Sequence, residues 1–154
     1  MKTINYIKTS ISSKKWFFLS VYGLCHALVD ASCAFLVMGV IDVKSDIWLY
    51  IILYNALAFC LQLPLGLLID KFPFPKAGAI ISMLLLIVSY LVFWNPFVAV
   101  LFTGLGNALF HVCGGQMALN IDTQKAVYPG IFVAPGGIGL ALGIYLATKH
   151  VVLN

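Results

Sequence analysis

The sequence predicts an all-α integral membrane protein with about five transmembrane helices, and three observations lead there. Of its 154 residues 62% are hydrophobic and only 9% charged, against about 25% charged in an average soluble domain. The apolar residues fall into several runs long enough to cross a bilayer as helix, which takes about 20 residues each. The polar residues between these runs are confined to short turns, so no loop has room for a soluble domain. The segments of about 10 alternating residues that mark a membrane barrel are absent.

Residues 1–15 read as a polar lead, either a short cytoplasmic stretch or an interfacial turn, and 16–154 as a single bundle. The first span is expected over 16–41. It follows basic residues, as a signal peptide would, but it is too long, contains His and Asp, and leads into further spans, so it reads as a retained helix. Asp42-Val43-Lys44-Ser45-Asp46 makes a turn, and the second span runs 47–69, with Trp48 and Tyr50 as interfacial anchors. Pro73 and Pro75 break the chain before a third span over 77–94. Asn95-Pro96 turns it into a fourth over 97–119, and residues 120–125 form the polar loop before a fifth over 128–153.

Charge placement orients the bundle and excludes one function class. The net charge is +4, yet there is no arginine, and Lys2, Lys8, Lys14 and Lys15 all precede the first span. This is a topology signal with contact to anionic lipid, and no nucleic-acid partner is expected. Alternate segments carry seven lysines against two, which puts the N-terminus in the cytoplasm. Lysine, isoleucine and asparagine usage without arginine points to a prokaryotic cytoplasmic membrane. Cys25, Cys33, Cys60 and Cys113 all lie in apolar runs without metal-site spacing, so free thiols are expected.

Chemistry, if there is any, has to sit among the polar residues at membrane depth. The first span holds His26 and Asp30, four residues apart and therefore on one helix face. A charged residue at the centre of a membrane helix costs roughly 2.5 to 3.5 kcal/mol, so such a residue needs a partner or a task. A carboxylate and an imidazole one turn apart can take up and release a proton near neutral pH, which makes His26 and Asp30 the candidates for proton coupling. The fourth span repeats the spacing with Asn107 and His111, followed by Gln116, and the second carries Asn55 and Gln62. Asn107, His111, Gln116 and Asn55 are the candidates for a cavity wall, and for Asn55 and Gln62 plain interhelical hydrogen bonding is the favoured account. His26, Asp30 and His111 would also make a ligand set for zinc or iron, but no motif such as HExxH fixes them together, and neither metal nor cofactor is expected. No enzymatic activity is expected either: GxSxG is absent, and Ser32, Ser82 and Ser89 have no neighbouring base in sequence.

The fifth span is rich in small residues around a proline, Gly130-Ile131-Phe132-Val133-Ala134-Pro135-Gly136-Gly137-Ile138-Gly139 and then Gly143. Gly139 and Gly143 form a GxxxG pair for close helix approach, and Pro135 with Gly136 and Gly137 makes a flexible element.

Gly66-Leu67-Leu68-Ile69-Asp70-Lys71-Phe72-Pro73-Phe74-Pro75-Lys76 resembles the cytoplasmic loop signature of the major facilitator superfamily. Gly66 and Asp70 match it, Lys71 and Lys76 stand where arginines are usual, and the central glycine is missing. The segment around Ala134-Pro135 is similar to the superfamily's antiporter motif. His26 to Asp30, Gln62-Leu63-Pro64-Leu65-Gly66 and Phe110-His111 are most like exporters of the fosmidomycin-resistance type. The resemblance implies that the first and fourth spans line a substrate cavity, that Asp70 and Lys71 latch the cytoplasmic side, and that the fifth span governs a rocking motion. It also implies twelve helices in two halves, where this chain supplies five. The expectation is therefore a half-size, proton-coupled transporter of a small molecule, working as a homodimer or with a partner half. The alternative is a truncated or accessory membrane subunit that does not transport.

Overall fold

The computed structural model describes residues 2–41, 46–72 and 74–153, with side chains described between Lys14 and Lys149. The turn residues 42–45 and Pro73 lie outside the described residues. Everything described is helix or short turn: α1 (Lys2–Phe35, continued by a π-helical turn Leu36–Val40), α2 (Ile47–Cys60), α3 (Gln62–Lys71), α4 (Pro75–Leu91), α5 (Pro96–Leu119) and α6 (Val127–Leu153). Four stretches are long and apolar enough to cross a membrane: Lys14–Val40, Ile47–Lys71, Pro96–Leu119 and Val127–Lys149.

Three features differ from the sequence expectation, each for a local reason. The polar lead is not a turn but the first part of α1, because no proline interrupts the chain before Pro64. The second span is divided into α2 and α3 at Leu61. Pro64 lies four residues after Cys60, and its ring crowds that carbonyl, while Leu65 N–H still bonds the Leu61 carbonyl at 3.0 Å and keeps the two pieces one rod. The third expected span stops at Leu91 rather than Trp94, leaving α4 with 17 residues. At 1.5 Å per residue that is about 25 Å, short of the ~30 Å apolar core of a bilayer. Asn95 ends the turn by leaving helical geometry (φ −110°, ψ 92°), as a residue before proline tends to. Its side chain then accepts a hydrogen bond from Val98 N–H at 3.3 Å to cap α5.

Helix α5 is the centre of the bundle. Of its membrane-length window 61% is buried within the chain, against 6% for the α2–α3 rod, and it packs against every other helix. On its α4 side the contact is made by small residues. A Cβ at Gly106 would meet the Ser82 carbonyl at 3.0 Å, and one at Gly78 would land on the Cys113 sulfur. On its α2 side Gly104 lies against Leu57.

Helices α1 and α6 run parallel with backbones nearly touching. Gly139 stands over the backbone of Ala27, Gly143 over that of Ala31, and Gly23 over Pro135. This in-register pairing of GxxxG with AxxxA is a way for membrane helices to gain dispersion contacts where the hydrophobic effect offers nothing. Trp16 and Tyr128, at the same end of the pair, have ring centroids 6.0 Å apart, where amphipathic aromatics fit a membrane interface. Three small cores complete the packing, one around Leu19, Phe110 and Phe132, one around Leu36 and Val100, and one around Ile69 and Cys113.

Candidate functional site

Where α1, α5 and α6 meet, four polar side chains converge. His26 is 1% exposed, in a wall made by Phe132, whose ring stacks on it at 4.5 Å between centroids, and Phe110, at 5.9 Å. Its Nδ1 lies 2.8 Å from the carbonyl oxygen of Phe132. A carbonyl can only accept, so Nδ1 carries the hydrogen and donates it. With Nδ1 protonated, the other nitrogen of a neutral His26, Nε2, presents a lone pair.

That nitrogen faces His111 Nε2 at 3.1 Å and Asp30 Oδ2 at 3.2 Å. The other Asp30 oxygen, Oδ1, lies 3.1 Å from His111 Nε2 and accepts from Asn107 Nδ2 at 3.0 Å. Asn107 also reaches Cys33 Sγ at 3.6 Å. The i, i+4 spacings place these groups: His26 and Asp30 stack on α1, Asn107 and His111 on the antiparallel α5, and the two pairs interlock. Among the described residues Asp30 pairs with no lysine; its ionic partners are the two histidines.

Counting hydrogens exposes a deficit. If His111 donates through Nε2 to Asp30 Oδ1, no hydrogen remains for the edge between His26 Nε2 and Asp30 Oδ2, where two lone pairs then face each other. One further cation on that edge, a proton or a metal ion, would satisfy it. The site is closed at His26 and more open at Asp30 and His111, 14% and 22% exposed. Gly136 closes it on the α6 side: a Cβ there would sit 2.5 Å from His26 Nε2 and 2.7 Å from Asp30 Oδ2.

The other residues singled out from the sequence lie elsewhere. Gln116 is a third of a turn or more away from His111 on the helix wheel, and it donates to Asp70 Oδ1 at 3.4 Å, tying the ends of α5 and α3 together. Asn55 is exposed and donates to the Ile51 carbonyl of its own helix at 2.7 Å; Gln62, at the start of α3, donates back to the Ala58 carbonyl of α2 at 2.9 Å. Lys71 lies over the Phe72 ring at 5.4 Å, Lys76 is exposed, and Gly66 has open space around it. Gly137 points away from the bundle, whereas Gly139 and Gly143 are consumed against α1 of the same chain. All four cysteines are free, Cys60 on the surface.

Two contributors were not legible beforehand. The Phe132 carbonyl is backbone and has no sequence signature. The sequence marks Gly136 for flexibility alone, and its contact with the pair follows only from the α1–α6 docking. Comparison of the chain with protein-family models, with known proteins and with solved structures finds no match.

Proposed function

We propose that the chain is one helical bundle of a secondary transporter, moving a small molecule across a prokaryotic cytoplasmic membrane in exchange with protons, as a homodimer or with a partner half. The observation that carries this reading is the His26–Asp30–His111–Asn107 cluster, contributed by two apolar helices, closed at His26 and partly open at Asp30 and His111, with room for one more cation between His26 and Asp30. Ionisable groups at membrane depth mark ion pathways and proton relays, and a cluster that can accept one more proton between an imidazole and a carboxylate is suited to loading and releasing it. Helix direction adds support. Lys14, Lys15, Lys71, Lys76 and Lys125 belong to one end of the bundle, the end with the excess of positive charge expected on the cytoplasmic side. In this reading the 17-residue α4 is the remaining span, tilted little or set in a locally thin bilayer. The major-facilitator resemblance supplies the arrangement, two bundles rocking around a midplane site. Asp70, Lys71 and Gln116 then act at the cytoplasmic latch.

The test begins with the mass of the purified chain in lipid nanodiscs by native mass spectrometry. A dimer, or a copurifying partner of similar size, is expected. Proteoliposomes loaded with a pH-sensitive dye should then show substrate-dependent proton movement for the wild type and at least tenfold less for Asp30→Asn. A strict monomer without proton movement overturns the reading.

A further inference from the structure

We propose that His26, Asp30 and His111 form a binding site for one divalent transition-metal ion of the zinc class, with both Nε2 atoms and an Asp30 carboxylate oxygen as its protein ligands. The sequence sets a metal aside for want of a motif. The ligands come from two helices, 81 and 85 positions apart in the contacting pairs, so the sequence names the residues but no single motif holds them together.

Geometry makes the case. Zinc binds imidazole nitrogen and carboxylate oxygen at about 2.0–2.2 Å in a tetrahedron, which sets ligand atoms about 3.3 Å apart. The two Nε2 atoms lie 3.1 Å apart, His111 Nε2 lies 3.1 Å from Asp30 Oδ1 and His26 Nε2 3.2 Å from Asp30 Oδ2, and with one ligand atom taken from each residue all three lie within 4.8 Å of one another. The two imidazoles are edge to face, 88° apart with centroids at 4.4 Å. The carboxylate straddles them, one oxygen against each ring, and ligation requires the Asp30 side chain to turn so that one oxygen faces the ion.

The surroundings are those of a metal site as well. A metal-ligating histidine typically donates its other ring N–H to a carbonyl, which fixes its tautomer, and His26 does so to Phe132. A ligating carboxylate is typically held by a hydrogen bond, and Asn107 holds Asp30. Three protein ligands leave a fourth position for water or cargo, and Asp30 and His111, which are partly exposed, mark the side of approach. For both Nε2 atoms to ligate, His111 carries its hydrogen on Nδ1 and no longer donates through Nε2 to Asp30, so metal and protons compete for the same nitrogens. That the ion is the cargo exchanged for protons rests on the transport reading; that it binds does not.

The decisive experiment titrates the untagged full chain, in nanodiscs and stripped by chelation, with Co²⁺ and then Zn²⁺. One cobalt per chain is expected, with the intense visible bands of a four-coordinate ion that disappear when Zn²⁺ displaces it. His26→Ala and His111→Ala should abolish the bands, and Asn107→Ala should weaken binding roughly 10- to 100-fold. Cys60→Ser, at an exposed thiol, should leave them unchanged. Should the alanine variants fail to fold, by circular dichroism and gel filtration, His111→Gln keeps a polar group at the more open position and should still lose the bands. A folded wild type that binds no stoichiometric cobalt, or bands that survive loss of either histidine, overturns the proposal. Cobalt binding without any proton flux upholds the metal site and sinks the transport reading; Asp30-dependent flux without cobalt binding does the reverse.

Discussion

Helix α5 holds two neighbours by opposite means. Toward α4 it offers small residues, and the buried hydroxyls on that seam are satisfied within α4 itself: Ser82 donates to the Ala79 carbonyl and Ser89 to the Leu86 carbonyl, both at 2.6 Å. Those bonds exist whether or not α5 is present, so they add nothing to association; what joins the two helices is close packing around Gly78 and Gly106. Toward α1, α5 offers Asn107 and His111, whose partners all lie across the interface. Polar side chains in a membrane helix therefore hold a structure together only when their partners are on another helix. A polar seam open to exchange with cations also has a use that a sealed seam lacks.

The largest effect should come from the third seam, α1 with α6. Gly139→Leu and Gly143→Leu would drive a side chain into the backbone of Ala27 or Ala31, where no rotamer offers relief. Overpacking ordinarily costs about 1–3 kcal/mol, and a clash with backbone belongs at or above the top of that range. Loss of monodisperse protein on gel filtration is expected for both. Gly137→Leu, on the outer face with open space around it, should purify as the wild type does. Equal behaviour of all three would mean that α1 and α6 do not pack as described.

Next comes the polar seam. A double-mutant cycle of Asp30→Ala and Asn107→Ala, read by thermal unfolding in one detergent, should return a coupling of about 0.6 to 1.7 kcal/mol, the average and upper values for hydrogen bonds between membrane helices. A coupling near zero would reduce the convergence of α1 and α5 to coincidence and remove the ground for a cation site.

These seams differ in how far the sequence reveals them. The i, i+4 pairs on α1 and α5 were legible because a helix repeats every 3.6 residues, and the apolar runs named the helices that carry them. Register between helices was not. Gln116, five residues beyond His111, is rotated about 140° from it and meets Asp70 instead of the cluster. Asn55 is one residue from Tyr54, which turns inward to the core, so Asn55 turns outward and bonds its own helix. The break at Leu61 needed only Pro64 and its reach back to Cys60, yet the apolar run around it reads as continuous. Which carbonyl receives His26 depends on the docking of α6, a tertiary fact that no local pattern encodes.

The smallest effect should be the most diagnostic of the comparison. Ser82 and Ser89 are fully buried, and removing a buried hydroxyl is costly, about 1–3 kcal/mol, when it strands a partner. Here the partner is a helix carbonyl that keeps its own backbone bond, and alanine is the better helix former by a few tenths of a kcal/mol. Ser82→Ala and Ser89→Ala should therefore change stability by no more than about 0.5 kcal/mol in either direction, seen as an unfolding midpoint within error of the wild type. Asn107→Ala, which removes one side chain of similar burial, should lower the midpoint clearly, because the Asp30 oxygen it leaves behind has lost a donor across the interface. If the serine variants fall as far as Asn107→Ala, their hydroxyls reach across to α5, and the division of α5 into a sealed seam and an exchangeable one fails.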